Sequence, residues 1–324
     1  MPGRGPPGML SGIRDALIIH NPAAGRRRRR RARDLARARH ILAEAGIDAA
    51  LAETSDPGGA SALARQAARD GRGLVIACGG DGTIHEIANG LALSRVPLAV
   101  LPAGTANVLA KELGLPWNIP AAARRIPAGR LARIALGLAQ QNPPNGACRY
   151  FVCIAGAGID GSMVYRCNPK LKAVAGQFAY WLEAARHFFR YPLQPFAVAA
   201  AGRAFQATQV IVGRTRNFGG PFRLTPGADL LSDRFQVAAF TATSRFRYPA
   251  NLLAVWLDRL ELRRDVEFVD AAQVRCEAEP GTRIYVETDG EPAGILPVEF
   301  RIVPDALTLV APEDETQAGR RRVQ

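Results

Sequence analysis

Three glycine-rich turns in the first half of the chain carry residue types that bind phosphate groups. Glycine lets the backbone come close to a phosphate, and the N–H groups that begin a following helix attract its negative charge. Each turn follows an apolar run, and parallel strands place their carboxyl ends at one sheet edge, so we expect one phosphate-binding crevice. The turns are Asn21-Pro22-Ala23-Ala24-Gly25, Gly79-Gly80-Asp81-Gly82-Thr83 and Gly104-Thr105-Ala106-Asn107.

Two widespread phosphate-binding motifs are absent from this sequence. It has no Gly-x-x-x-x-Gly-Lys followed by Ser or Thr, which excludes the P-loop arrangement. It also lacks a strand-borne Gly-x-Gly-x-x-Gly with a downstream acid, which would support dinucleotide redox chemistry. The remaining option for phosphate chemistry is a kinase of another architecture.

Asp289-Gly290 in the second half is a strong signal for a two-residue hairpin turn. Such a turn would project the next side chain, Glu291, from the end of a strand. From the residues alone, Asp289-Gly290 could also be a structural turn with no part in a catalytic site.

The first half alternates apolar runs with segments of helical spacing. The Arg-rich helix is expected to end at Gly46, the helix beginning at Ser61 ends at Gly71, and a third continues through Leu91. This alternation predicts an α/β domain with a doubly wound parallel sheet. The predicted strands are Ala16–His20, Ile47–Glu53, Leu74–Cys78 and Pro97–Leu101.

Short strands dominate after about residue 135, and they predict a mainly antiparallel β-sandwich as a second domain. Two helices are predicted among them, Leu171–Arg190 and Pro249–Leu260, and Gln140–Ala147 is predicted as a polar linker. We expect a disordered leader at 1–14, an α/β domain at 15–137, a β-rich domain at 138–312 whose last strand can return to the first domain, and a basic disordered tail at 313–324. The predicted strands are Tyr150–Ile154, Pro195–Ala200, Gln209–Val212, Gln236–Phe240, Thr282–Glu287 and Glu299–Val303.

The composition is that of a globular protein, with 48% hydrophobic and 22% charged residues in 324. No apolar run reaches the roughly 18 residues that a membrane-spanning helix needs, and the beginning of the chain lacks a secretory signal. We therefore expect a cytoplasmic protein. The five cysteines and four histidines show no spacing typical of a disulfide framework or a zinc site.

The net charge of +13 is concentrated in two places. Residues 26–39 hold nine arginines against Asp34, a balance of +8, and Arg320–Arg322 add +3. The rest of the chain carries only 13 − 8 − 3 = +2. No nucleic-acid-reading module accompanies the arginines, so we expect no nucleic acid partner. A patch that attracts anionic lipid headgroups and a solvated helix face both fit this charge.

Six segments occur in order along the chain: NPAAG, ACGGDGTIHEIANGL, LPAGTANVLAKELGLP, GAGIDGSMV, KLKAVAGQFAYWLEAARHFFR and TDGEPAG. Together they resemble the catalytic domain of the diacylglycerol kinase and sphingosine kinase superfamily, and more narrowly its soluble bacterial lipid kinases. The likeness spans about residues 15–312. GGDGT alone also resembles NAD kinases and phosphofructokinases, whereas the ordered set is specific.

The resemblance implies a kinase that transfers the ATP γ-phosphate to a hydroxyl of diacylglycerol or a related lipid, with Mg²⁺. It implies ATP on the first domain and lipid on the second. The concentrated arginines, independently of the resemblance, lead us to expect peripheral contact with an anionic membrane surface. Glu291 would be the general base, with Asp289 beside it as a metal or base partner, and phosphoryl transfer does require an acceptor for the hydroxyl proton. The residues implied around the nucleotide are Asn21, Thr54, Gly79, Gly80, Asp81, Gly82, Thr83, Glu86, Gly104, Thr105 and Asn107, where Asp81 also lies near the metal and Glu86 steadies the helix after the glycine turn.

Several positions depart from the commoner pattern of this superfamily. Val108 stands where many members have Asp, and Ala135 stands where several have an acid. Ser232-Asp233 replaces a more usual Asp-Gly near a structural magnesium site. These changes remove carboxylates from the expected metal network, and Asp229 and Asp233 are the candidates to replace them.

Two other functions stay open at this point. An NAD kinase shares GGDGT and a two-domain plan, although the second-half motifs weigh against it. A non-enzymatic, nucleotide-gated regulator at the membrane surface would fit the missing carboxylates and the concentrated charge. The lipid acceptor, its acyl or sphingoid specificity and the oligomeric state, including a homodimer, stay open as well.

Overall fold

A computed structural model of the chain describes residues 10, 12–22, 28–54, 56–143, 145–166, 191–219, 222–244 and 248–312. The chain divides into two compact units. Unit 1 contains the residues up to Ile134 and those from Asp305 onward, and unit 2 contains the residues between them. The chain passes from one unit to the other within two strands, β5 (Arg130–Gln141) and β16 (Val298–Ala311). The predicted helix at 171–190 and the tail at 313–324 lie outside the described residues.

Unit 1 is built on a parallel sheet, which confirms the α/β prediction for the first half. The strand order is β2-β1-β3-β4-β16, where β16 contributes its C-terminal part, and each neighbouring pair is parallel. Its other elements are β1 (Asp15–His20), α1 (Arg28–Glu44), β2 (Asp48–Glu53), α2 (Gly59–Arg69), β3 (Leu74–Gly79), α3 (Asp81–Leu91), β4 (Pro97–Pro102), α4 (Val108–Glu112) and α5 (Ile119–Arg125).

The central strands of unit 1 are continuous apolar runs because both of their faces are covered. Every residue of β3 and β4 is buried, which is typical of parallel sheets flanked by helices. Gly46 and Gly71, just beyond α1 and α2, have φ angles of 78° and 67°, as expected for glycines that end helices. Leu10 is also buried in this core, so that part of the expected leader belongs to the folded unit.

Unit 2 is an antiparallel β-sandwich, which confirms the prediction for the second half. One sheet has the order β12-β11-β10-β7-β14-β15, and β13 pairs with β8 and with the N-terminal part of β16 in the other. The core includes Phe151, whose ring stacks on Phe235 at 5.6 Å and meets Phe300 edge-on at 6.2 Å. The elements are β6 (Cys148–Phe151), β7 (Ile154–Ala157), α6 (Ile159–Arg166), β8 (Phe196–Ala200), β9 (Arg203–Ala207), β10 (Gln209–Gly213), β11 (Phe235–Phe240), α7 (Tyr248–Trp256), a 3-10 turn (Leu260–Leu262), β12 (Val266–Ala271), β13 (Gln273–Glu277), β14 (Tyr285–Thr288) and β15 (Glu291–Ile295).

Several predicted boundaries in the second half were wrong. The single strand predicted at Tyr150–Ile154 is two strands, because the N–H groups between β6 and β7 bind a side chain instead of a neighbouring strand. The predicted linker at Gln140 begins two residues too early, since β5 continues to Gln141. Strands β9, β12, β13 and β15 were not predicted. Among the described residues, no helix has the length and apolar character needed to span a membrane.

Candidate phosphate-binding and catalytic residues

The structure brings the three glycine-rich turns to one edge of the unit 1 sheet. They follow β1, β3 and β4, which are adjacent strands. Backbone hydrogen bonds join them: the Asn21 N–H donates to Cys78 O at 3.2 Å, and the Ala103 N–H donates to Gly79 O at 2.9 Å. The convergence predicted from parallel strands is therefore present for the described residues of these turns.

The second and third turns touch through two glycines. A Cβ built on Gly104 would stand 2.4 Å from the Gly80 Cα, a distance that no side chain tolerates. Gly80 itself precedes α3 with φ −93°, so its own backbone is not strained. Gly79 is also enclosed, since its Cβ would lie 2.4 Å from the Thr83 hydroxyl oxygen. Position 104 therefore requires glycine, because the backbone of Gly80 comes too close for any side chain.

Asp81 organises the third turn. Its Oδ2 accepts a hydrogen bond from the Asn107 N–H at 2.9 Å, and its Oδ1 accepts one from the Val108 N–H at 2.6 Å. Asn107 has φ 46°, and its side chain bonds the N–H and the carbonyl of Gly104, both at 3.0 Å. The carboxylate therefore caps the first turn of α4. Val108, in place of an acid, is buried.

The other residues implied for the nucleotide have different positions. Thr83 is buried on α3, Thr54 is buried just after β2, and Thr105 is exposed in the third turn. Gly82 is half-buried as the second residue of α3. Glu86 accepts hydrogen bonds from the N–H groups that begin α2, at 3.0 and 3.1 Å, so it joins α3 to α2.

Arg31 is a residue of this edge that the sequence interpretation missed. It is 4% exposed, although it belongs to the Arg-rich segment. Its guanidinium donates to Asn21 O at 2.8 Å and to Ala103 O at 3.2 Å, which joins the first and third turns. Helical spacing is the signal that could have found it, since Arg31 lies four and seven residues before the buried Leu35 and Ala38.

Unit 2 holds the predicted hairpin. Asp289 and Gly290 have φ angles of 49° and 82°, and Thr288 pairs directly with Glu291, as in a two-residue turn with left-handed central residues. Glu291 is half-buried as the first residue of β15. Within the described part of the chain its carboxylate makes no hydrogen bond or ion pair. As far as the described residues are concerned, that carboxylate is available to accept a proton or bind a ligand.

The carboxylate of Asp289 is occupied by backbone. Its Oδ2 accepts from the Val152 N–H at 2.8 Å, and its Oδ1 accepts from the N–H groups of Cys153 and Ile154 at 2.8 and 3.0 Å. The Asp289 N–H in turn donates to Ile154 O at 2.8 Å. These bonds fix the turn against the gap between β6 and β7, and Glu291 begins the strand that follows this turn.

Two buried carboxyl groups, those of Glu287 and Asp160, lie near the Asp289-Gly290 turn. The Gly290 N–H donates to Glu287 Oε2 at 2.7 Å. The other oxygens, Glu287 Oε1 and Asp160 Oδ2, both point at Gly156, whose Cβ would lie 3.1 and 2.9 Å from them. Burial raises the pKa of Asp160 to about 6, and burial together with Asp160 raises the pKa of Glu287. Because raised pKa values favour a protonated carboxyl, we expect this pair to hold one proton between the two oxygens.

Arg214 occupies the loop where Asp229 and Asp233 were predicted to bind metal. This fully buried guanidinium donates to Leu230 O at 2.6 Å and to Ser232 O at 3.1 Å. Burial lowers the pKa of Arg214 to about 10, against the opposing effect of the two nearby aspartates. The guanidinium of Arg214 therefore binds the loop that contains Asp229 and Asp233, where a metal ion was predicted.

The described carboxylates do not fit a protein-built magnesium site. Asp229 Oδ1 accepts the Leu231 N–H at 2.9 Å, and the carboxylates of Asp81 and Asp289 bind backbone N–H groups. Among the described residues, no three His, Cys, Asp or Glu side chains gather as a metal cluster. A metal held chiefly by substrate phosphates would need fewer protein ligands.

Several known proteins are similar to this chain over nearly its whole length. A Bacillus subtilis protein named diacylglycerol kinase is 29% identical over 310 residues, covering 94% of this chain and 99% of its own. A Staphylococcus aureus protein of the same name is 26% identical over 303 residues, covering 92% and 93%. A Bacillus anthracis crystal structure superposes with a TM-score of 0.76 at 25% identity, covering 92% of this chain and 95% of that one.

Two family models match consecutive parts of the chain. Residues 15–139 match the diacylglycerol kinase catalytic domain, and residues 153–311 match the YegS C-terminal NAD kinase beta sandwich-like domain. These ranges coincide with the parallel sheet and its glycine turns and with the β-sandwich and its Asp-Gly hairpin. The chain therefore combines a diacylglycerol kinase catalytic domain with a YegS C-terminal NAD kinase beta sandwich-like domain.

Proposed function

We propose that this kinase transfers the γ-phosphate of ATP to a hydroxyl of diacylglycerol or a related lipid. The observation that carries the proposal is the meeting of the glycine turns at one edge of the unit 1 sheet, where the backbones of Gly80 and Gly104 touch. Helix α3 begins at the second turn, so its first N–H groups and its helix dipole can face phosphates. The names of the relatives support the lipid acceptor.

In this proposal Glu291 takes the proton of the acceptor hydroxyl while the hydroxyl oxygen forms its bond to the γ-phosphorus and ADP leaves. Its carboxylate supports that role, because no described residue bonds to it, whereas Asp289 and Glu287 beside it are both engaged with backbone N–H groups. Mg²⁺ bound with ATP would neutralise phosphate charge. We assign no residue to Mg²⁺, because the described carboxylates do not form a site for it.

We also propose that the enzyme works in the cytoplasm at the surface of an anionic membrane. The lipid acceptor supports this location, and so do the exposed arginines of α1, which include Arg30, Arg33 and Arg37. Arg31 is excluded from this set, because it is buried against the first and third turns. The attraction would be screened within about 8 Å at physiological salt.

The test is transfer of label from γ-phosphate-labelled ATP into a total lipid extract in mixed micelles, with the products separated by thin-layer chromatography. Label in a phospholipid that comigrates with phosphatidate supports the proposal. NAD is offered in a parallel reaction, because the second family model describes an NAD kinase-like sandwich. Label in NADP instead of lipid would mean an NAD kinase, and ATP binding without any labelled product would mean a regulator.

A further inference from the structure

Helix α7 is apolar on two opposite faces. Its inward face, with Ala254, packs into a buried cluster of unit 2. Its outward face carries Leu252, Leu253 and Trp256, which are 53%, 56% and 70% exposed, and Leu257 continues this face at 49%. Single exposed apolar side chains are normal on proteins, whereas contiguous ones mark a surface that contacts something else.

Exposed apolar side chains are concentrated at this place. Eleven large hydrophobic residues are exposed among the described residues, and five of them lie between Leu252 and Leu262. The remaining six are distributed over both units. We call the group of five the α7 patch; it consists of Leu252, Leu253, Trp256, Leu257 and Leu262.

A buried polar network holds α7 in this orientation. Asn251, on the inward face, donates to Asp265 Oδ2 at 3.2 Å and accepts from Arg263 Nε at 2.7 Å. Arg263 and Asp265 also form an ion pair at 2.9 Å. Rotating the helix to bury the α7 patch would break these buried bonds, so the patch is a fixed feature of the surface.

Two exposed arginines, Arg259 and Arg264, lie near the α7 patch along the chain. Of the three acids in residues 248–265, Asp258 pairs with Arg223 at 3.1 Å and Asp265 pairs with Arg263 at 2.9 Å, which leaves Glu261. The guanidinium groups of Arg259 and Arg264 are exposed and make no hydrogen bond or ion pair within the described residues. Within the part of the chain that the structure describes, they are available to anionic groups outside the protein.

We propose that the α7 patch docks unit 2 on an anionic lipid bilayer. The leucines and Trp256 would enter the boundary between headgroups and acyl chains, where tryptophan is favoured. Arg259 and Arg264 would bind lipid phosphates at the same level. The inference rests on the proposed function only in one respect, which is that a lipid acceptor resides in a bilayer.

A second copy of the chain fits the α7 patch less well. A stable protein interface of standard size takes roughly 20–30 residues a side, many more than this patch offers. A two-fold contact would also bring the exposed Arg259 and Arg264 of each copy to the same face, where like charges repel. A bilayer of anionic lipids needs no interface of that size, and its charge attracts arginines.

The test is cosedimentation of the full chain with phosphatidylglycerol-containing vesicles, measured without ATP. The double variant Leu253→Ser/Trp256→Ser should lose at least about tenfold in partitioning, because two buried apolar side chains return to water. The matched control is Leu93→Ser/Trp117→Ser, which removes a 62% and a 57% exposed side chain of the same types from unit 1. The control should bind vesicles as the parent does.

Arg259→Ser/Arg264→Ser should lower binding to anionic vesicles and leave binding to pure phosphatidylcholine unchanged. Three results would overturn the proposal: no vesicle binding by the parent, equal binding by the Leu253/Trp256 variant, or loss of binding only when Arg30, Arg33 and Arg37 of α1 are reversed to Glu. A parent dimer that this variant converts to a monomer, with vesicle binding intact, would also overturn it. Since no turnover is measured, a failure of lipid phosphorylation leaves these outcomes unaffected.

Discussion

The Cα of Gly80 stands where a side chain on Gly104 would begin, since a Cβ at position 104 would approach it to 2.4 Å. Gly104→Ala therefore pushes the second and third turns apart. We expect it to lower the free energy of unfolding by about 1–3 kcal/mol, as overpacking does, and to weaken ATP binding in calorimetric titration.

Gly80→Ala should have the milder effect, because its Cβ would lie 3.4 Å from the Gly104 Cα and its φ of −93° suits any residue. The control is Gly59→Ala, whose Cβ would lie 3.8 Å from Thr54 in ordinary contact. Equal ATP affinity for Gly104→Ala and Gly59→Ala would place the nucleotide elsewhere.

Arg31→Met should impair the nucleotide edge more than any other arginine substitution in α1. It removes both hydrogen bonds between the guanidinium and the carbonyls of Asn21 and Ala103. Bonds from a charged donor contribute about 1.5–3 kcal/mol each, so stability should fall and KM for ATP should rise. Arg30→Met, an exposed position one residue earlier, should stay within about 0.5 kcal/mol of the parent. Similar KM values for the two variants would show that Arg31 does not position these turns.

The Asp160–Glu287 pair should make folding less stable as pH rises from about 4 to 6. The pKa of Asp160 is raised from 3.8 to about 6, so the folded state keeps a proton that the unfolded state has already lost. Stability falls with pH wherever the folded state binds more protons.

Chemical denaturation across this pH range measures the effect. Asp160→Asn, which supplies a permanent N–H donor to Glu287, should flatten the dependence. Asp229→Asn, an exposed carboxyl in the same unit, should leave the slope as in the parent. An unchanged slope in the Asp160 variant would show that the pair shares no proton.

Glu291→Gln should reduce kcat by about 10²- to 10⁴-fold, the usual contribution of a general base, with ATP binding and thermal stability close to those of the parent. Glutamine keeps the volume of the side chain but takes up no proton. The control is Glu299→Gln, a half-buried glutamate on β16 of the same unit. Lipid turnover within about threefold of the parent would remove Glu291 as the base.

Asp289→Asn should act first on stability. An amide in place of the carboxylate presents N–H donors to the N–H groups of Val152, Cys153 and Ile154, so at least one bond is lost inside unit 2. We expect a loss of about 1–3 kcal/mol in the free energy of unfolding. If stability is retained and the magnesium dependence of turnover changes instead, Asp289 acts on the metal side, as the family resemblance implies.

The amino-acid sequence by itself determines the features that depend on neighbours along the chain. Apolar runs and helical spacing predict the parallel sheet of unit 1, and glycines place the turns after β1, β3 and β4. Asp289-Gly290 predicts its hairpin because only a few residues adopt a positive φ easily. These preferences are local, so they need no knowledge of the distant chain.

The tertiary structure decides which of these residues meet. Helical spacing places Arg31 on the same side of α1 as Leu35 and Ala38, but only packing decides that this side is buried while Arg30 is exposed. Asp289 reaches backbone N–H groups about 136 residues earlier in the chain, and the buried carboxyl of Asp160 lies near that of Glu287, far along the sequence, where the pKa values of both are raised. Burial and long-range pairing set the charge state and the partners of a carboxyl group, and both exist only once distant segments have packed.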